Sequence, residues 1–112
     1  MTDQDWDLIN KVHIYGAYKC ARAAWPHFRK QKYGRVINTA SAAGLFGNFG
    51  QANYSAAKLA MVGFTETLAK EGFKYNIISN VIAPVGESAF SLELPPCKAQ
   101  SIANVSSSLY SC

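Results

Sequence analysis

Two short runs rich in β-branched residues, 36–41 (Val-Ile-Asn-Thr-Ala-Ser) and 76–83 (Asn-Ile-Ile-Ser-Asn-Val-Ile-Ala), are separated by 34 residues that contain one long helical pattern. That spacing constrains the fold more than any other feature. Strands joined through a helix cannot form a hairpin, and the crossover lays them side by side in parallel. Between them, Ala57, Met61, Phe64 and Leu68 recur at offsets of three and four, which predicts a helix over 52–73 with Gly72 as its C-terminal cap. Pro84 closes the second strand. Residues 42–51 carry Gly44, Gly47 and Gly50 and read as a loop that bends or approaches another surface closely.

Upstream, Leu8, Ile9, Val12, Tyr15 and Tyr18 predict a helix over 5–31, capped by Asp3 or Asp5. Pro26 is expected to kink that helix or restart it. The first strand does not alternate cleanly between polar and apolar residues, as expected for a strand covered on both faces, and a parallel sheet needs both faces covered. Two helices and two strands make only half of such a sandwich, and the chain therefore reads as a piece of something larger. The division expected is 1–96 as part of one domain and 97–112 as a Ser-rich tail whose order is left open.

Composition narrows the function. With 49% hydrophobic and 16% charged residues the chain suits a folded domain, and no apolar stretch approaches the roughly 18 residues of a membrane span. The acidic opening Met1-Thr2-Asp3-Gln4-Asp5-Trp6-Asp7 is unlike a signal or transit peptide, which points to a reducing compartment. Cys20, Cys97 and Cys112 form neither a disulfide framework nor a metal-ligand spacing, so structural thiols and no metal are expected. The net charge is +4, and no acidic residue lies between Asp7 and Glu66. Without exposed aromatics between the basic residues, this charge argues for an anionic cofactor or small-molecule substrate rather than nucleic acid.

Tyr54 and Lys58 lie four apart on the central helix, so both side chains fall on one face a turn apart. An ammonium beside a tyrosine favours the phenolate and suits it to proton transfer at neutral pH. Ser41 ends the first strand thirteen residues before Tyr54, and Ala52, Ser55, Ala56 and Ala57 keep the surroundings small enough for a flat ligand.

Ser41, Tyr54 with Lys58, and Asn80-Val81-Ile82-Ala83-Pro84 together resemble the short-chain dehydrogenase/reductase family. Within it, Gly47-Asn48-Phe49-Gly50-Gln51-Ala52-Asn53-Tyr54 is similar to the (3R)-hydroxyacyl-CoA dehydrogenases of β-oxidation, and the resemblance covers about 5–84. It implies an α/β fold, a partial Rossmann-like doubly wound parallel sheet made of a helix-strand-helix-strand fragment. It implies Tyr54 as general acid/base, Lys58 as its partner and ribose ligand, and Ser41 as a hydrogen-bond donor to the reacting oxygen. His13 occupies the slot of the family's proton-relay Asn, with a merely packed helix histidine as the alternative.

By the same resemblance Asn38, Thr39, Ala40, Pro84, Gly86 and Ser88 would line NAD, with NADP left open. Val85 stands between Pro84 and Gly86, where the family usually has Pro-Gly. The family's Gly-rich phosphate turn is missing, so this chain alone is expected to be inactive. Other expectations are an acyl-CoA or another hydroxy or oxo substrate, homo-oligomers of the complete protein, and a peroxisomal location despite no C-terminal peroxisomal signal, with the cytoplasm as alternative. An oxoacyl carrier-protein reductase, a steroid dehydrogenase, and an inactive fragment that pairs its helices with a full-length subunit are the rival readings.

Overall fold

The first helix begins one residue after Thr2, whose hydroxyl accepts a hydrogen bond from the Asp5 N–H while the Asp5 carboxylate accepts from the Thr2 N–H. This reciprocal capping box assigns the cap to Thr2 rather than to Asp3 or Asp5, because only a residue at that position can face the third helical residue in both directions. The computed structural model describes residues 1–84; Gly86, Ser88, Cys97, Cys112 and the 97–112 tail lie outside the described residues.

Helix α1 (Asp3–Asn10) passes into a π-helical turn, Lys11–Tyr15, and then into α2 (Gly16–Gln31). The Gly16 N–H donates to the Lys11 carbonyl, the i→i+5 bond that defines the wider turn. α2 runs unbroken through Pro26, so the expected restart does not occur. Pro26 and Arg22, the residue whose carbonyl Pro26 deprives of a helical partner, are both exposed, so water can reach this part of the helix. Cys20, expected as a structural thiol, lies exposed on the same helix.

Strand β1 (Gly34–Thr39) leads into a one-turn helix α3 (Ala42–Phe46), then α4 (Ala52–Gly72), a 3-10 turn (Phe73–Tyr75) and β2 (Ile77–Ile82). The expected loop thus contains a helical turn. Ser41 begins that turn, its hydroxyl accepting from the Ala43 N–H, and Gly47 and Gly50 carry the positive φ that bends the chain back into α4. Gly72 does not stop α4 with a left-handed conformation, since Asn76 takes that role at φ 57°. A side chain at Gly72 would lie 2.7 Å from Ile77 Cβ, so the glycine serves the close approach of the helix end to β2.

The two strands are parallel, in the register Gly34 with Ile77 through Thr39 with Ile82. α4 packs on both strands, and its buried stripe of Ala57, Met61, Val62, Thr65 and Leu68 is the side of the core formed by the helix. Ala40, Val62 and Val81 form the cluster at the upper end of this layer. Among the described residues one face of the sheet is covered, the half of the sandwich that two helices supply. The burial of the strands alternates, and Ile37, Ile78 and Ile82 are 67%, 45% and 45% exposed. Both long helices contact the sheet from the side of Asn38 and Val81, α2 through Phe28 against Gly34, and among the described residues nothing covers the opposite face.

The basic residues do have aromatic neighbours, contrary to the reading of the sequence. Lys19 sits 5.0 Å above the Tyr15 ring, Arg29 4.5 Å above Tyr75 and Arg35 4.3 Å above Tyr33. The chain's own cations therefore take up these rings. Among the described residues no helix is long and apolar enough to cross a membrane.

Candidate active site

The carboxyl end of β1, the first turn of α4 and the π-helical turn converge on Tyr54. His13 approaches from that turn with its ring edge-on to the Tyr54 ring, at a centroid separation of 5.2 Å and an interplanar angle of 85°. Lys58, one turn along α4, donates from Nζ to the Thr39 main-chain carbonyl at 3.1 Å and lies 5.7 Å from the Tyr54 ring centroid. The ammonium is thereby held at the strand end by the backbone, with two further N–H donors directed elsewhere.

Gly44 lets this arrangement form. A Cβ at that position would lie 2.8 Å from Lys58 Cβ and 2.9 Å from the Leu59 N, so only a glycine lets α3 rest on α4 at the level of Lys58. The packing fixes where the lysine leaves its helix.

His13 is half-buried, and its imidazole is held below the ordinary value of 6.5, chiefly by desolvation and secondarily by the charge of Lys58. At neutral pH it is therefore the neutral ring, able to accept a proton on one nitrogen.

The remaining expected residues divide by strand alternation. Thr39 turns its side chain to the open sheet face. Asn38 and Ala40 are buried on the opposite face, at 9% and 3% exposure. The Asn38 amide donates to Thr65 Oγ1 at 2.9 Å, and Thr65 donates to the Met61 carbonyl at 2.7 Å. The Asn38 and Ala40 side chains are thus taken up by the core, which leaves the strand's main chain as the part that Asn38 and Ala40 present at its end. Ser41 lies half-buried just beyond Thr39, and among the described residues no hydrogen bond joins it to Tyr54. Because its hydroxyl oxygen accepts from Ala43, its proton remains available to a ligand. Pro84 is exposed beyond β2, while Gly86 and Ser88 lie outside the described residues.

A nicotinamide dinucleotide asks for hydroxyl-binding groups at its nicotinamide ribose and for a cradle of backbone N–H groups at its pyrophosphate. The Lys58 ammonium and Tyr54 suit the first. Among the described residues no Gly-rich turn supplies the second.

The model of the short chain dehydrogenase family matches residues 1–90. This chain belongs to that family. It is 78% identical over 96 residues to the peroxisomal hydratase-dehydrogenase-epimerase of Neurospora crassa, a match covering 86% of this chain and 11% of that protein. The structure of full-length peroxisomal multifunctional enzyme type 2 from Drosophila melanogaster matches with TM-score 0.74 and 48% identity, over 78% of this chain and 16% of the fly chain. The crystal structure of an NAD+-bound xylitol dehydrogenase matches with TM-score 0.72 and 35% identity, over 74% of this chain and 32% of that one. The chain thus spans about a tenth of the Neurospora relative and a third or less of the two solved chains. The parallel β1–β2 pair with its helices is part of a Rossmann-type architecture.

Proposed function

We propose that this segment carries the proton-transfer machinery of an NAD-dependent oxidoreductase that interconverts (3R)-hydroxyacyl-CoA and 3-oxoacyl-CoA in fatty-acid oxidation. The observation behind this reading is the Lys58 ammonium tied to the Thr39 carbonyl beside Tyr54, with His13 against the tyrosine ring. The peroxisomal relatives support a peroxisomal location and a dehydrogenase of fatty-acid oxidation, and the NAD+-bound neighbour supports a nicotinamide cofactor.

In the direction of oxidation Tyr54 Oη takes the proton of the substrate hydroxyl. Ser41 Oγ donates to the same oxygen and holds the carbon in place. Lys58 stabilises the tyrosine anion and binds the ribose hydroxyls, while neutral His13 receives the proton from Tyr54 or from a water beside it. NAD, when bound, supplies the hydride acceptor. Residues 1–96 would form the central and C-terminal part of such a domain, and the phosphate cradle must come from outside the described residues.

The test is the complete dehydrogenase that carries this segment, given (3R)- and (3S)-3-hydroxyacyl-CoA with NAD and followed by NADH absorbance. Oxidation of the (3R) epimer is expected. Turnover of a steroid alcohol in preference to either thioester would overturn the substrate assignment.

A further inference from the structure

α4 opens without a conventional cap. Gln51 precedes it at φ −120° and ψ 37° with no side-chain cap hydrogen bond, so the N–H groups of the first turn need other partners. Asn53 supplies one, its Oδ1 accepting from the Tyr54 N–H at 2.8 Å. The same amide reaches the first helix, where Nδ2 donates to the Asp5 carbonyl at 3.4 Å. Only one orientation of the amide satisfies both partners, because reversing it would set an NH₂ against an N–H and an oxygen against a carbonyl. Asp5 is itself fixed by the capping box with Thr2.

The Asp5 and His13 attachments lie eight residues apart on one helical rod, about 12 Å at 1.5 Å per residue. Asn53 meets the rod at the first point and Tyr54 at the second. Two attachments from adjacent residues fix how the first turn of α4 is rotated against the rod, whereas a single attachment would leave a pivot. We infer that Asn53 is a positioning residue, which clamps α4 to α1 and thereby holds the Tyr54 ring edge-on to His13.

This inference rests on Tyr54 as the acid/base group, and the test separates the two. In the complete dehydrogenase carrying this segment, Asn53→Ala and Asn53→Asp are each made alone and together with His13→Ala, with Tyr54→Phe as control. Asp keeps an acceptor for the Tyr54 N–H but loses the donor to Asp5, and it serves as the working variant if Ala does not fold. Both single variants are expected to lower kcat about 3- to 10-fold with KM within about twofold, and to change kcat less than about twofold once His13 is absent, as coupled neighbours do. Equal losses in both backgrounds, or restoration by Asp, would overturn the positioning role. Turnover that survives Tyr54→Phe would instead overturn the underlying reading.

Discussion

His13 and Tyr54, 41 residues apart in sequence, meet with ring centroids 5.2 Å apart and planes at 85°, and a π-helical turn under His13 makes the meeting possible. The extra residue in that turn rotates the histidine relative to the flanking α-helix.

The titration of His13 follows from its surroundings. Desolvation and the Lys58 charge both hold its imidazole below 6.5, so below that pH the unfolded chain binds more protons than the folded one. The stability that His13 contributes is therefore complete above 6.5 and is lost as pH falls toward the lowered folded value. NMR titration of the imidazole C–H signal in the complete dehydrogenase should give a midpoint below 6.5 that rises, without full recovery, in Lys58→Met. A midpoint unmoved by removing the lysine would refute the charge contribution.

The buried bond from Asn38 to Thr65 ties β1 to α4 beneath the site. Thr65→Val alone leaves the buried Asn38 amide without this partner and should cost about 1–3 kcal/mol in urea denaturation, whereas Asn38→Leu leaves Thr65 its bond to the Met61 carbonyl and should cost less. The double variant removes both polar groups and should lose less than the sum of the two. Strict additivity would mean that the two side chains act independently.

The helix-strand-helix-strand order, the parallel pairing and the nearness of Lys58 to Tyr54 were all legible, because each follows from periodicity or from spacing along one helix. The π turn was not. Apolar residues at offsets of three and four look the same whether or not one residue is inserted, so His13 came from resemblance alone. The helical turn after Ser41 was hidden by Gly44, a poor helix former whose requirement is contact with Lys58, which is remote in sequence. Asn53 carries no local signal of its contact, since nothing near it in sequence indicates that Asp5 lies within its reach.

The sheet face left open among the described residues predicts the behaviour of the 112-residue chain by itself. Ile37, Ile78 and Ile82 form an exposed apolar surface on a two-stranded sheet, a template for association. The isolated chain should aggregate or bind ANS strongly, and Ile37→Lys should raise the soluble fraction on ultracentrifugation. A monomer that unfolds cooperatively, with protected amides in both strands, would show that this face needs no cover.

Tyr54 is the group assigned to move the proton, and the most direct measurement of that role is kcat of the Tyr54→Phe variant in the complete dehydrogenase carrying this segment. Phe keeps the ring against His13 and removes only the hydroxyl. The account predicts a fall in kcat by a factor of about 100 or more, with thermal stability unchanged, as expected for loss of general acid/base catalysis. Turnover at the rate of the unsubstituted enzyme would contradict it.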